Sequence, residues 1–349
     1  MTFLIYFMLC CLSVHGQAIY VDSNIGNDKN DGSKETPVFS LKKAAEIIQG
    51  KDNDIYTVKI NPGIYILDEH VSIATEKEMK DKRIVVEASI LPDDTSWTPE
   101  KMPVIANCAK KGEIPENANF VTSFRIDESH VTIRGIKFHG YFYPHTRYNP
   151  IGRIGIKETD LLVEQCVFIG DPNISQLHVG IYADGNEVRV DHCIFYNVRN
   201  TIVFGRAAEG NEIKTGNGLT NSIIFGASQA VWTGAPDRDF KFENNVVSNC
   251  RYVWVKGNEN TTKYSLNNCV IVNNHFYTGA PDKVRLKPEE FELIENNIVK
   301  NGNISLRLTG ADDRPFLDEV DKPLPVDYLH IIPNTLGYEI GAGIFKQRM

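Results

Sequence analysis

The sequence predicts an all-β solenoid, in which short strands wind into stacked coils behind one N-terminal capping helix. A sequence motif recurs along the chain: two short strands of alternating apolar residues, separated by a turn-like polar residue. The strands are rich in Val, Ile and Phe. Successive copies are 30, 27, 29, 23, 24 and 28 residues apart, a period typical of coiled repeats. Helix signals are convincing at one place only, near residue 41.

The repeat places one small or amide residue at the same point of each coil. We predict that this column points inward and forms a ladder, because a single coil cannot bury its inward side chains until neighbours stack on it. This accounts for three cysteines as packing residues, although a Cys166–Cys193 disulfide between adjacent coils stays open. The members of the column are Ile136, Cys166, Cys193, Ser222, Asn245, Cys269 and Asn297.

The helix signal begins at Ser40, a good N-cap residue. Leu41, Ala44, Ala45 and Ile48 then share one face of a helix, which fits a lid over the exposed end of a solenoid. We assign residues 17–70 to this cap and the first coil, and 71–310 to the remaining coils. Residues 311–349 form a C-terminal extended segment, of which 311–335 are rich in Pro and Asp.

The first sixteen residues have the pattern of a secretory signal peptide. The apolar run from Thr2 to Val14 is too short to span a bilayer and ends at small residues around Gly16, although a buried N-terminal strand is an alternative. We therefore expect a secreted protein, extracellular or periplasmic, that does not associate with membranes after cleavage. Removing Cys10 and Cys11 leaves five cysteines, an odd number that indicates buried thiols and no simple disulfide framework.

The composition excludes several classes of protein. With 349 residues and 42% hydrophobic residues the chain has ample apolar material for a core, so whole-chain disorder is excluded. Twenty-six Gly and seven Cys are too few for a collagen-like repeat or a disulfide-dense miniprotein. The net charge of −8 should repel nucleic acid, so an acidic ligand would need a local basic stripe or a bound cation.

Three segments carry a resemblance to a known superfamily: Ile19-Tyr20-Val21-Asp22, Asn61-Pro62-Gly63-Ile64-Tyr65 and Leu336-Gly337-Tyr338-Glu339-Ile340-Gly341-Ala342. They resemble the start, the first coil and the end of secreted proteins of the pectate-lyase-like superfamily. The start and end are most similar to the branch of alginate lyases and dermatan-sulfate lyases. The resemblance implies a single-stranded right-handed parallel β-helix and a polysaccharide lyase that uses Ca²⁺ or a cation cluster.

Strict alternation in the third strand of each coil predicts one outer face rich in aromatic and cationic side chains. Aromatic faces suit sugar rings, and Arg suits carboxylate or sulfate groups. In the alternative interpretation the Trp rings pack under loops and the cations are solvated. The loop from Phe138 to Tyr148 would form one wall of the cleft or the core of a covering loop. The substrate-binding candidates are Trp232, Trp254, Tyr252, Arg153, Lys157, His145, Arg147 and Arg307.

The favoured chemistry is β-elimination on a uronate polymer, which needs a neutralised carboxylate and a base. Lys256 is the leading base, because aromatic neighbours and nearby Arg should lower its pKa. Arg206, His178 and Tyr182 are candidates for neutralising charge or donating a proton. Oxygen ligands for Ca²⁺ would come from Asp237, Asp239 and Glu243. The alternative is that Asp237-Arg238-Asp239 forms only a charged turn.

Two other functions stay open at this point. A glycoside hydrolase on the same scaffold needs two carboxyl groups about 5–10 Å apart. A non-catalytic polysaccharide-binding β-helix needs only the aromatic stripe. Fold alone does not choose among these functions, and the oligomeric state is not indicated. The carboxylates that follow outer strands on successive coils are Asp184, Glu209, Asp237 and Glu259.

Overall fold

A computed structural model of the protein describes most of the chain after the predicted signal peptide, which lies outside the described residues. None of the helices in that part of the chain is long and apolar enough to cross a membrane. The described residues are 18–50, 55–77, 79, 82–108, 121–140, 147–153, 155–170, 177–207, 213–257, 260–279, 293–308 and 324–347.

The described strands stack in three parallel rows, because each strand pairs with its counterpart one coil earlier and one coil later. This pairing is that of a parallel β-helix, and the predicted all-β fold of parallel strands with one N-terminal helix is confirmed. Strands β23 and β25 run through both the first and the second row. The helix α1 covers Leu41–Gln49, and short 3-10 turns cover Pro99–Lys101 and Tyr338–Ile340.

The first row contains β1 (Ala18–Val21), β2 (Thr57–Ile60), β5 (Ile84–Ala88), β8 (Val131–Arg134), β11 (Leu161–Glu164), β14 (Val188–Asp191), β17 (Gly218–Thr220), β20 (Lys241–Glu243), β23 (Tyr264–Val272) and β25 (Leu293–Val299). The second row contains β3 (Ile64–Leu67), β6 (Val104–Asn107), β9 (Lys137–His139), β12 (Val167–Ile169), β15 (Ile194–Tyr196), β18 (Ile223–Phe225) and β21 (Val246–Ser248). The third row contains β4 (Val71–Ile73), β7 (Val121–Ile126), β10 (Tyr148–Arg153), β13 (Val179–Ala183), β16 (Asn200–Phe204), β19 (Gln229–Thr233), β22 (Tyr252–Lys256) and β24 (Phe276–Gly279).

The helix α1 closes the N-terminal end of the coils, as the sequence predicts. The Ser40 side chain accepts a hydrogen bond from the Lys43 amide at 3.0 Å, which satisfies one of the free amides of the first turn. The predicted apolar face, Leu41, Ala44, Ala45 and Ile48, is buried in the same core as the inward residues of the coils.

The inward ladder is confirmed for most of its members. Cys166, Cys193 and Cys269 are buried free thiols, so no disulfide joins the first two. Ser222 Oγ accepts from the Cys193 amide at 3.0 Å, and Asn245 Oδ1 accepts from the Ser222 amide at 3.0 Å. These bonds satisfy backbone groups that would otherwise be buried without partners.

The assignment of Asn297 to this ladder is wrong. Ile298 pairs with Cys269, so Asn297 lies one position earlier, at the turn between the first and second rows. That turn needs a residue with positive φ, and Asn297 has φ 56°. The sequence pattern misplaced it because Leu293 and Ile294 are both apolar and leave the phase of the strand open.

A second ladder of amides runs along the outside of this turn. Asn244, with φ 55°, donates to Asn221 Oδ1 at 3.0 Å and accepts from Asn268 Nδ2 at 2.7 Å. Asn297 continues the ladder by donating to Asn268 at 2.7 Å. Asn is suited to this position because it tolerates left-handed backbone and carries both a donor and an acceptor.

Replacing Asn244 by Ala should lower the free energy of unfolding by about 1–2 kcal/mol. The change removes two ladder hydrogen bonds, and Ala at positive φ lacks the polar side chain that lets Asn adopt left-handed backbone. Chemical denaturation of the purified chain measures this. Asn244→Gly is the matched control, since Gly accepts the backbone angle and loses only the ladder bonds. An Ala variant as stable as the wild type would contradict this account.

The outer face of the second row is apolar and is covered by the C-terminal segment. Ile223, Val246 and Val270 of this row are buried together with Ile331 and Ile344. The described part of the predicted extended segment, residues 324–347, therefore folds back over the coils, with an antiparallel bridge between Leu306 and Ile331. This segment completes a second core outside the coils.

Buried tyrosines predict a loss of stability in alkali. Burial raises the pKa of Tyr65 to about 12 and moves the pKa of Tyr148 and of Tyr264 upward from its usual value near 10. Above about pH 10 the unfolded chain releases these protons while the folded chain retains them, so stability should fall between pH 10 and 12 and be unaffected below. Thermal unfolding across this range measures the effect, and Tyr148→Phe should make the decline shallower. A flat profile would contradict it.

Candidate active site

The outer face of the third row carries one column in which Tyr182, Val203, Trp232 and Val255 follow one another on successive coils. Tyr182 and Trp232 are partly exposed there, as predicted. At the C-terminal ends of these strands a Cβ on Gly205 would lie 3.1 Å from the Tyr182 hydroxyl. The glycine therefore leaves room for the polar side chains that gather around this hydroxyl.

Tyr182, Asp184 and Arg206 form a compact cluster at this edge. Asp184, whose side chain is fully buried, accepts from the Arg206 amide at 2.6 Å and from the guanidinium at 3.0 and 2.8 Å. The Tyr182 hydroxyl is within hydrogen-bonding reach of both side chains. The Arg206 side chain is 66% exposed, and Asp184 holds one edge of its guanidinium.

The electrostatics of the cluster keep Tyr182 in its acid form. Burial and then the negative charge of Asp184 raise the pKa of Tyr182 to about 12, and Arg206 opposes this only in part. The bonds to Asp184 raise the pKa of Arg206 still further. At neutral pH the cluster therefore presents a protonated phenol beside a fixed cation, an arrangement that can bind a carboxylate and donate a proton.

The prediction that the Trp254 side chain lies on the outer face is wrong, because this side chain points into the core. It pairs with Val231, its side chain is fully buried, and its indole nitrogen donates to Thr233 Oγ1 at 3.0 Å. The ring packs against Phe240 and Tyr264, with ring centroids 5.4 and 4.8 Å away. The strand contains apolar residues at both alternating positions, so alternation alone gave no direction.

Arg153 and Lys256 are also buried, contrary to the prediction that they face outward. Successive pairings place them in one column, together with Phe204 and Thr233 of the core. Arg153 donates to the Asp184 carbonyl at 2.9 and 2.6 Å. Lys256 donates to a backbone carbonyl at 3.0 Å, and burial lowers the pKa of its amine. Both cations bind strand ends, which removes Lys256 from reach of a substrate on the outer face.

The remaining predicted residues lie in different places. His178 is at the opposite end of its strand from Tyr182, four residues away, with Arg147 nearby. Burial, aided by the positive charges of Arg199 and Arg147, lowers the pKa of His178 to about 4. Tyr252 is partly exposed at the start of β22, Lys157 is exposed, Arg307 pairs with Asp327 at 3.1 Å, and His145 lies outside the described residues.

The three residues proposed to hold Ca²⁺ do not form an oxygen cage. Asp237 is buried and accepts from Asn217 at 2.6 Å, and burial raises the pKa of its carboxyl. Asp239 is exposed and accepts from the Gly216 amide at 2.7 Å, while Glu243 lies on the first row. In the described part of the chain no three His, Cys, Asp or Glu side chains are grouped so that they could hold a metal ion.

A separate groove of about 940 Å³ lies on the outer face of the first row. The strand register places Glu187, Gly216 and Asp239 at one position on three successive coils of this groove. Two coil spacings separate the two acidic residues by about 9–10 Å at their Cα atoms. Alternation in the third-row strands does not predict Glu187, because this residue lies just before β14 of the first row.

Comparisons with known proteins support the architecture. A solved structure titled rhamnogalacturonan lyase matches with a TM-score of 0.51 and 15% identity, covering 82% of this chain and 75% of that one. A GH136 lacto-N-biosidase from Eubacterium ramulus matches with a TM-score of 0.41 and 10% identity over 82% of this chain and 68% of that one. No family model matches the sequence, and no curated protein matches it. At 15% identity the likeness to the first of these structures shows a shared fold alone, and nothing is argued from the second.

Proposed function

We propose that the protein is a secreted carbohydrate-active enzyme, and specifically a polysaccharide lyase that cleaves a uronate-containing polymer by β-elimination. The observation that carries the proposal is the Tyr182 hydroxyl lying beside the partly exposed Arg206 on the outer face of the third row. The fold shared with a structure titled rhamnogalacturonan lyase is compatible with it.

The chemistry assigns a task to each side chain. Elimination transfers the proton next to the uronate carboxylate to a solvent water, forms a C=C bond and breaks the bond to the glycosidic oxygen. The leaving oxygen takes a proton from the Tyr182 hydroxyl, which regains one from solvent. The Arg206 guanidinium is suited to neutralising the carboxylate, because its Asp184 pairing fixes it in place before substrate binds. Tyr182, protonated at neutral pH, is suited to donating a proton to the leaving oxygen.

Trp232 gives the same face a surface for a sugar ring. It follows Tyr182 by two coils in the outer column, about 10 Å away at the Cα atoms, and it is partly exposed. A ring stacked on this indole would belong to the polymer whose neighbouring sugar lies at Tyr182. The polymer would then run parallel to the axis of the coils.

A panel of alginate, pectate and glycosaminoglycans tests the proposal. We expect one polymer to give an unsaturated product that absorbs in the ultraviolet, and Arg206→Ala to abolish that product. New reducing ends without the absorbance would establish hydrolysis, and binding without either product would establish a non-catalytic protein. Activity that disappears with a chelator would assign charge neutralisation to a cation and contradict the role given to Arg206.

Glycoside hydrolysis is the second candidate, favoured by the Glu187–Asp239 pair that flanks Gly216. Inverting enzymes hold their two carboxyl groups about 6.5–9.5 Å apart to leave room for a water, and side chains on Cα atoms about 9–10 Å apart can reach that separation. If this function holds, Glu187→Gln and Asp239→Asn should each abolish the release of reducing ends while Tyr182→Phe has no effect. The opposite pattern supports the lyase.

A further inference from the structure

One position on the surface carries cationic or imidazole side chains on four of five successive coils. It immediately precedes the third-row strands β13, β16, β19, β22 and β24. The strand register aligns His178, Arg199, Ser228, Arg251 and His275 in this column. At about 4.8 Å per coil the column extends roughly 19 Å along the axis of the coils.

Within the described ranges, no acidic side chain pairs with either arginine of the column. Arg199 and Arg251 are exposed and form no ion pair with any residue that the structure describes. In contrast, Arg134, Arg189 and Arg206 are all paired with carboxylates. Unneutralised cations in a chain of net charge −8 produce a local positive potential that attracts an anionic ligand.

The column borders a groove of about 460 Å³ whose described lining contains no acidic side chain. Arg199, Arg251 and His275 lie along it, together with the amides Asn197 and Asn249. Cations supply charge and the amides supply donors, so the groove offers hydrogen bonds to carboxylate or sulfate oxygens along its length.

An aromatic pair stands beside the C-terminal end of the column. Tyr252 and Phe276 are stacked, with ring centroids 5.0 Å apart and planes 22° from parallel. Phe276 is 51% exposed, and the Arg251 guanidinium lies 5.4 Å from the Tyr252 ring. An exposed aromatic ring next to cations is suited to a sugar ring that carries acidic groups. One face of the sugar can stack on the aromatic ring while its acidic substituents form ion pairs with the cations.

We propose that this basic and aromatic strip is a second binding site for a linear polysaccharide bearing carboxylate or sulfate groups. It is distinct from the Tyr182–Arg206 cluster, since His178 and Tyr182 are four residues apart on one strand, about 13 Å. The strip holds the polymer chain and performs no chemistry. The inference rests on the proposed function only for the polysaccharide class of the ligand. The strip consists of His178, Arg199, Arg251, His275, Tyr252 and Phe276.

Binding of the full chain to dextran, carboxymethyl dextran and dextran sulfate tests the strip, because the three probes share one backbone. We expect no binding to dextran, and binding to one or both charged forms that weakens as salt is added. The charged form that binds more tightly identifies carboxylate or sulfate as the preferred group. Equal binding to uncharged dextran, or tighter binding to single-stranded DNA of equal charge, would overturn the proposal.

Two double variants that change the net charge by the same amount distinguish binding at the strip from attraction by the overall charge of the protein. Arg199→Gln with Arg251→Gln should weaken binding about tenfold or more, because two charge-assisted contacts are lost. Arg189→Gln with Lys241→Gln, both exposed on the first-row groove, should change binding less than twofold. Phe276→Ala should weaken binding without altering its salt dependence. Equal weakening by the two double variants would overturn the strip.

The same variants separate this inference from the proposed lyase. Tyr182→Phe should leave dextran sulfate binding unchanged, whatever it does to turnover. Unchanged turnover in Tyr182→Phe together with lost binding in the Arg199 and Arg251 variant would refute the lyase and retain the strip. Lost turnover in the former with unchanged binding in the latter would refute the strip and retain the lyase. Thermal unfolding of each variant confirms that these exposed substitutions leave the fold intact.

Discussion

Replacing Tyr182 by Phe is expected to lower turnover of a uronate polymer by about 10²- to 10⁴-fold, the usual contribution of a positioned acid. The substitution removes the hydroxyl that meets both Asp184 and Arg206 and leaves the ring in place. The strand and the Asp184–Arg206 pair do not depend on that oxygen, so the Michaelis constant and the unfolding midpoint should change little. The rate of formation of the unsaturated product measures the effect.

Its control is Tyr20→Phe, a change of the same chemistry at a partly exposed tyrosine in β1, far from the cluster. This variant should retain full activity. Since the pKa of Tyr182 is raised to about 12, the wild-type enzyme should also show no loss of activity from phenol ionisation between pH 7 and 10. Full activity in Tyr182→Phe would remove the cluster from catalysis and direct attention to the Glu187–Asp239 groove.

Replacing Trp254 by Ala should lower the free energy of unfolding by about 3–5 kcal/mol, the range for removing a large buried aromatic side chain. The change empties the space between Phe240, Phe242 and Tyr264 and leaves Thr233 Oγ1 without its indole donor. Trp254→Phe should cost less, because it fills most of the space and loses mainly the hydrogen bond. Denaturant unfolding with an unchanged slope measures both.

Trp232→Ala is the matched comparison, since Trp232 lies on the adjacent coil but on the outer face. It should cost less than about 1 kcal/mol of stability, as expected of a surface residue, and should weaken binding of the polymer. Similar losses of stability in the Trp232 and Trp254 variants would mean that the assignment of the two faces of the third row is wrong.

In the third-row strands, the alternation of residues predicts the direction of some side chains and not of others. Alternation predicts correctly that Tyr182 and Trp232 face outward, because each is a large amphipathic side chain directly after an inward apolar residue, Ile181 or Val231. In β22 the reasoning failed, since Val253, Trp254 and Val255 are all buried and the strand is covered on both sides. A period of two then separates the faces without telling which of them is inside.

The charged residues show the same limit more sharply. Lys256 and Arg153 are the last residues of β22 and β10, and alternation predicts that both face outward, yet both are buried against backbone carbonyls. The sequence repeat centred on the first turn does not single out Arg199 and Arg251, because both lie at the start of a third-row strand. Alignment at that start would have shown one cationic position recurring along the coils.

The sequence by itself determined the coil period, the capping helix, and the inward Cys, Ser and Asn ladder, since each depends on local spacing and on backbone preferences of individual residues. Only the tertiary structure decided which side of each third-row strand is buried, which cations have acidic partners, and what covers the second row. Those features depend on contacts between residues far apart in the chain. Arg206, for example, meets a carboxylate 22 residues away, whereas Arg199 meets none among the described residues.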